Sequence, residues 1–138
     1  MSDVVYIALG SNLGDRATTL ARARKAIANL KSTRVVAESV VEETAPLGPI
    51  PQGAYLNQMI AVETDLAPRA LFAGLQRIER AAGRVRSARW GPRTLDLDIV
   101  MIDGRDYVDD MLTIPHPELH NRDFWQRELE ELRGAHHV

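Results

Sequence analysis

The stretch Leu95-Asp96-Leu97-Asp98-Ile99-Val100 does most to limit what this chain can become. Side chains alternate faces along an extended strand, so Leu95, Leu97 and Ile99 turn one way and Asp96 and Asp98 the other. One face belongs to a core. The other gathers two carboxylates, which repel each other unless something positive joins them.

The segment before this strand is rich in positive charge: Arg80, Arg84, Arg86, Arg89 and Arg93, with a Gly91-Pro92 turn between the last two. A plain reading makes the aspartates an exposed edge with the arginines as salt-bridge partners, and an isolated Asp-x-Asp favours it. The density of arginine shifts the balance. A hard cation such as Mg2+ is held by one or two carboxylates together with substrate phosphates. Arginines at the mouth of the same strand supply the remaining charge that a polyphosphate needs. The pattern points to metal-assisted phosphoryl transfer.

The bulk properties narrow the class. A chain of 138 residues suits one domain with a core of its own. The formal net charge of -2 gives no overall attraction to nucleic acid or to an anionic membrane, so an anion site must be local. Cysteine is absent, which rules out disulfides and thiolate metal sites and fits a reducing compartment. No apolar run approaches a membrane span, and Met1-Ser2-Asp3 lacks the basic start of a signal peptide. The expectation is a cytoplasmic monomer acting on small molecules, without nucleic-acid or membrane partners.

Hydrophobic periodicity predicts a buried strand over residues 4–9, then a turn at Gly10-Ser11-Asn12. A helix follows from Asp15, with Leu20, Ala23, Ala26, Ile27 and Leu30 on one stripe. Residues 34–41 read as a strand. The proline- and glycine-rich segment 44–53 reads as an irregular loop, and 55–64 as a strand again. Pro68 opens a second helix whose inner face is Leu71, Phe72, Leu75, Ile78 and Ala82, and Gly83 ends it. After the Asp-x-Asp strand, Asp103-Gly104 predicts a hairpin returning over 105–108. Residues 112–121 are irregular and 124–133 helical. The order is that of an α+β, ferredoxin-like β-α-β-β-α-β sandwich, an antiparallel sheet with helices packed on it.

Other groups carry weaker signals. The turn 10–15 has the look of a phosphate cradle at a helix start, but a structural turn capped by Asp15 or Asn12 is the better reading. His116, held between Pro115 and Pro117 with His120 and Arg122 nearby, is either a structural histidine or a fixed phosphate contact. Tyr55, Trp90 and Phe124 are core residues or flat walls of a pocket for a planar ring.

Assembled, these residues resemble the 6-hydroxymethyl-7,8-dihydropterin pyrophosphokinase family over residues 4 to about 124. The match runs through Ala8-Leu9-Gly10-Ser11-Asn12-Leu13-Gly14-Asp15, Thr44-Ala45-Pro46-Leu47-Gly48-Pro49, Tyr55-Leu56-Asn57, Gln76-Arg77-Ile78-Glu79 and Gly83-Arg84-Val85-Arg86. It continues with Arg89-Trp90-Gly91-Pro92-Arg93-Thr94-Leu95-Asp96-Leu97-Asp98-Ile99-Val100, Ile114-Pro115-His116-Pro117 and Asn121-Arg122-Asp123-Phe124. The resemblance implies a ferredoxin-like α+β fold and transfer of diphosphate from MgATP to the pterin hydroxymethyl group, with release of AMP, in folate biosynthesis. It implies two Mg2+ ions on Asp96 and Asp98, catalytic roles for Arg84 and Arg93, and phosphate contacts from Arg86, Arg89, His116 and Arg122. Gln76, Glu79, Trp90, Ile99 and Thr113 would seat the nucleotide. The pterin would lie between Tyr55 and Phe124, its edge read by Asn57, Thr44 and Leu47, with loops 44–53 and 84–92 as lids.

Two departures stand out. The arginine loop 83–90 is one residue shorter than in familiar bacterial members, which loosens the match of Arg86 and Arg89 to particular phosphates. After Phe124, the chain has Glu128 where the family proline is expected and ends early. These leave open a paralogue acting on a modified pterin. A non-catalytic nucleotide- or RNA-binding module of the same fold is the third reading. It predicts a basic sheet face with exposed aromatics, whereas these strands are mostly apolar.

Overall fold

A computed structural model describes residues 2–45, 53–83 and 95–136. The elements are β1 (Asp3–Ser11), α1 (Arg16–Ala28), β2 (Thr33–Glu38), β3 (Glu42–Thr44), β4 (Tyr55–Thr64), α2 (Pro68–Ala81), β5 (Asp96–Ile102), β6 (Tyr107–Val108), β7 (Thr113–Ile114), a 3-10 turn at Leu119–Asn121, and α3 (Asp123–His136). The main sheet is antiparallel in the order β2-β4-β1-β5, with β3 also paired to β4. That is the predicted ferredoxin-like arrangement. Its most apolar run, β1, lies between two neighbours, and everything from Val5 to Ser11 on it is buried.

The period-2 alternation divides the sheet into two faces. Val5, Ile7 and Leu9 of β1, Ile60 and Val62 of β4, and Leu97 and Ile99 of β5 pack against Leu20, Ala23 and Ile27 of α1 and Leu71 and Leu75 of α2. Tyr6 and Ala8, Met59 and Ala61, and Val100 form the other face, covered by Trp125, Leu129 and Leu132 of α3. Each fully buried Leu or Ile here contributes about 1.5–3 kcal/mol. One helical layer thus makes the main core, and the opposite face is shared between α3 and open ground.

Local details settle several expectations. Asp15 caps α1, its carboxylate accepting from the Thr18 backbone N–H at 3.2 Å and the Thr18 hydroxyl at 2.8 Å. These bonds hold its carboxyl below the usual range. A carboxylate on the helix start disfavours a phosphate there, so the 10–15 turn is structural. Asn12 instead reaches the Gly53 carbonyl at 3.3 Å. Gly83, at φ 81°, ends α2 in the left-handed conformation that glycine adopts without strain.

Two predicted strands are redrawn. The run 34–41 stops at Glu38, because Ser39 turns its hydroxyl onto the Met59 N–H at 2.9 Å and leaves Val40 and Val41 exposed. The Asp103-Gly104 turn returns the chain for only one bridge, Ile102 to Arg105. Tyr107 and Val108 then pair with Ile114 and Thr113 rather than with β5. The cause is Asp109, whose Oδ1 accepts from the N–H groups of Met111 and Leu112 and closes a second hairpin.

Candidate active site

The sheet register builds the site's floor. Gly10 of β1 pairs with Asn57 on one side and Asp96 on the other, and Ala8 pairs with Met59 and Asp98. All six positions share one face. Along the row through Gly10, two polar side chains flank a residue that has none. Strands are spaced about 4.8 Å apart, so Asn57 and Asp96 stand roughly 10 Å from each other across bare backbone. A Cβ placed on Gly10 would lie 3.2 Å from Asn57 Oδ1 and 3.4 Å from the Tyr55 ring. The slot exists because position 10 is glycine.

Asn57 is buried, and its Nδ2 donates to the hydroxyl of Thr44 on β3, which leaves Oδ1 over the slot as an acceptor. Tyr55, also on β4, is half-buried beside Gly10. Arg16, at the start of α1, ties the approach to β4 down. Its guanidinium donates to the Ala54 carbonyl at 2.9 Å and pairs with Glu43 at 2.8 Å. Sequence reasoning missed Arg16 and the role of Gly10. A glycine opposite Asn and Asp on neighbouring strands is visible only once the register is known.

Asp98 and Asp96 are half-buried on β5. His116 comes to them from the segment after β7, where its N–H bonds the Val100 carbonyl at 2.8 Å. Its Nδ1 accepts from the Glu118 N–H at 3.1 Å, so the proton of a neutral ring sits on Nε2. That nitrogen faces Asp98 Oδ1 at 3.6 Å. Glu79 of α2 acts from the other face: its Oε2 accepts from the Leu97 N–H at 2.8 Å, between the two aspartates. The outer strand's backbone is thereby pinned where the carboxylates stand.

Arg122, just before α3, and the first turn of that helix supply the rest. Arg122 lays its guanidinium over the Trp125 ring, 4.3 Å from the centroid, and His116 meets the same ring nearly perpendicularly at 5.0 Å. Phe124 is half-buried and packs against Trp125 with centroids 6.3 Å apart. Further along α3, Glu128 is 2% exposed and sits near Glu42. Burial first, and then the Glu42 carboxylate, push its carboxyl up to about 8.

The remaining candidates distribute as follows. Gln76 lies half-buried on α2, three residues before Glu79 and so on a neighbouring helix face. Thr113 is exposed on β7. Ile99 is 2% exposed in the core on the face opposite Asp98, so its main chain on the outer strand is the part able to meet a nucleotide. Leu47, Arg84, Arg86, Arg89, Trp90 and Arg93, and with them most of loops 44–53 and 84–92, lie outside the described residues.

The donor set fits Mg2+. Among the described residues no group of three His, Cys, Asp or Glu converges, so no all-protein cage for a cation forms there. Two neighbouring carboxylates are sufficient for Mg2+, which keeps waters and takes phosphate oxygens for its other positions. No described helix is long and apolar enough to cross a membrane.

A ferredoxin-like sandwich with an acidic pair on its outer strand, and a histidine and an arginine meeting one indole in the segment beyond, is an α+β protein with charged side chains gathered on one sheet face. The chain belongs to the 7,8-dihydro-6-hydroxymethylpterin-pyrophosphokinase family, whose sequence model matches residues 6–134. It is 48% identical over 119 residues to the 2-amino-4-hydroxy-6-hydroxymethyldihydropteridine pyrophosphokinase of Haemophilus influenzae, covering 86% of this chain and 74% of that protein. The enzymes of the same name from Bacillus subtilis (39% over 132 residues, 96% of this chain and 79% of the relative) and Pseudomonas aeruginosa (43% over 129 residues, 93% and 79%) are similar over almost the whole chain.

Proposed function

We propose that this protein transfers diphosphate from ATP to the hydroxymethyl group of 6-hydroxymethyl-7,8-dihydropterin, releasing AMP, as a step of folate biosynthesis. The observation that carries the reading is the row Asn57–Gly10–Asp96. Bare backbone between Asn57 and Asp96 supports a flat ring lying there, beside a carboxylate pair able to hold a metal.

In this reading the pterin lies on the Gly10 backbone between Tyr55 and Phe124. Asn57 Oδ1 accepts from its amino or ring N–H, with Thr44 and Leu47 completing the edge. Asp96 and Asp98 would hold Mg2+, two ions on the family resemblance, and the metal would supply neutralisation of phosphate charge that lowers the cost of bringing an oxygen to phosphorus. The hydroxymethyl oxygen attacks the β-phosphorus and AMP leaves. Charge spreads over phosphoryl oxygens in such a transition state, so fixed donors do most of the work by position. His116, through Nε2–H, and Arg122 would donate to the phosphates. Arg84 and Arg93 act on the transferring group, with Arg86 and Arg89 on neighbouring oxygens. Gln76, Glu79, Trp90, Thr113 and the main chain of Ile99 seat the nucleotide.

An RNA-binding sheet of this topology offers an open aromatic face. Here α1 and α2 cover one face and α3 covers part of the other, which disfavours that alternative. The test is AMP formation from ATP with and without the pterin, in Mg2+ and then in EDTA. The expected result is pterin- and Mg2+-dependent AMP without ADP, lost in Asp96→Ala while the circular dichroism spectrum is retained. Near-normal turnover by that variant overturns the reading.

A further inference from the structure

We propose that Trp125 is a positioning residue that holds His116 and Arg122 together at the phosphate end of the site while adding no charge of its own. This rests on the diphosphate-transfer reading above. Trp125 belongs to none of the motifs that carry the family resemblance, and it is 2% exposed, so its ring is fixed in the α3 core. Its backbone N–H bonds the Arg122 carbonyl at 3.0 Å, starting the helix and putting the indole one turn on from Arg122. The guanidinium then lies 4.3 Å above the ring centroid, and the His116 ring stands at 85° to the indole, 5.0 Å away.

The Arg122 Nε is buried and has no acceptor among the described residues. A carboxylate would orient a guanidinium equally well but would cancel its charge and occupy its donors. A π face orients the cation and leaves its N–H edge open to an anion. His116 is held by its own N–H on Val100, its Nδ1 on the Glu118 N–H, and its ring on Trp125, and these contacts turn Nε2 toward Asp98 Oδ1 at 3.6 Å, on the carboxylate side of the site. One indole therefore sets two donors that approach the anion from different stretches of chain.

Three variants separate positioning from packing. Trp125→Met keeps an apolar side chain in the core and removes the aromatic face. Trp125→Phe keeps a face. Leu129→Ala opens the same core cluster without touching His116 or Arg122. The expected result is an ATP KM raised about fivefold in Trp125→Met, largely restored in Trp125→Phe, with the pterin KM unchanged in both. Leu129→Ala should lower Tm but leave the ATP KM as it was. An unchanged ATP KM in a folded Trp125→Met, or an equal rise in Leu129→Ala, overturns the proposal. A second measurement needs no variant and no activity. In the NMR spectrum of the wild-type chain, the Arg122 side-chain protons should be shifted upfield by the indole ring current, and random-coil positions overturn it. A wild-type chain that makes no AMP with the pterin, yet shows those shifts, points to failure of the parent reading instead.

Discussion

Gly10 shows how one atom decides a site. A methyl group there would sit 3.2 Å from Asn57 Oδ1, closer than carbon and oxygen ordinarily approach. Asn57 has little freedom to yield, because it is 7% exposed and its amide nitrogen is held by Thr44. Gly10→Ala should therefore raise the pterin KM about fivefold, an effect of about 1 kcal/mol, with little change in the ATP KM. Isothermal titration with each substrate separately checks this; equal losses for both would contradict the slot. The aspartates were legible from alternation alone, since their spacing fixes their face whatever the rest of the fold. Gly10 was not, because its meaning comes from two partners 47 and 86 residues away.

Among the elements, β5 depends on the helix packed behind it for more than apolar contact. Glu79 of α2 reaches the outer edge of the sheet and satisfies the Leu97 N–H, which would otherwise be an open donor between two acids. Glu79→Ala should lose about 1–2 kcal/mol of stability, read by urea unfolding, and should slow turnover through a loosened aspartate pair. Stability loss with full kcat would separate the edge bond from the chemistry. The helices and long strands were readable because apolar period and length agree in them. The failures fall where a polar side chain overrides propensity. Val40 and Val41 are β-branched yet exposed, since Ser39 has already turned the chain. The strand after Asp103-Gly104 leaves β5 because Asp109, with Tyr107 on its Oδ2 at 2.6 Å, builds a competing hairpin. Neither side-chain bond has a sequence period to betray it.

At the scale of the whole molecule, the two sheet faces divide the labour. The α1 and α2 face is apolar core, while α3, which begins directly after Arg122, buries part of the other face through Trp125, Leu129 and Leu132 and carries Phe124 at its start. That helix carries one uncomfortable group, Glu128, buried with Glu42, Arg127 and Glu131 as its charged neighbours. Its carboxyl is raised from 4.5 to about 8, so the fold favours the neutral form. Below pH about 4.5 both folded and unfolded chains are protonated and nothing is lost. As pH rises toward 8, the unfolded chain releases the proton first, and stability falls across that window. Glu128→Gln should flatten the decline and stabilise the chain at pH 7 by up to about 3 kcal/mol. A Tm profile against pH that is parallel in the two proteins would refute the assignment.

The floor of the slot also bears on resistance to inhibitors. A drug seated on the Gly10 backbone touches peptide rather than a side chain, and peptide cannot be mutated away. On the proposed reading, the usual escape, enlarging the residue beneath the drug, meets Asn57 before it meets the drug and weakens the hold on substrate as well. Escape through that position therefore costs affinity for the molecule the drug imitates.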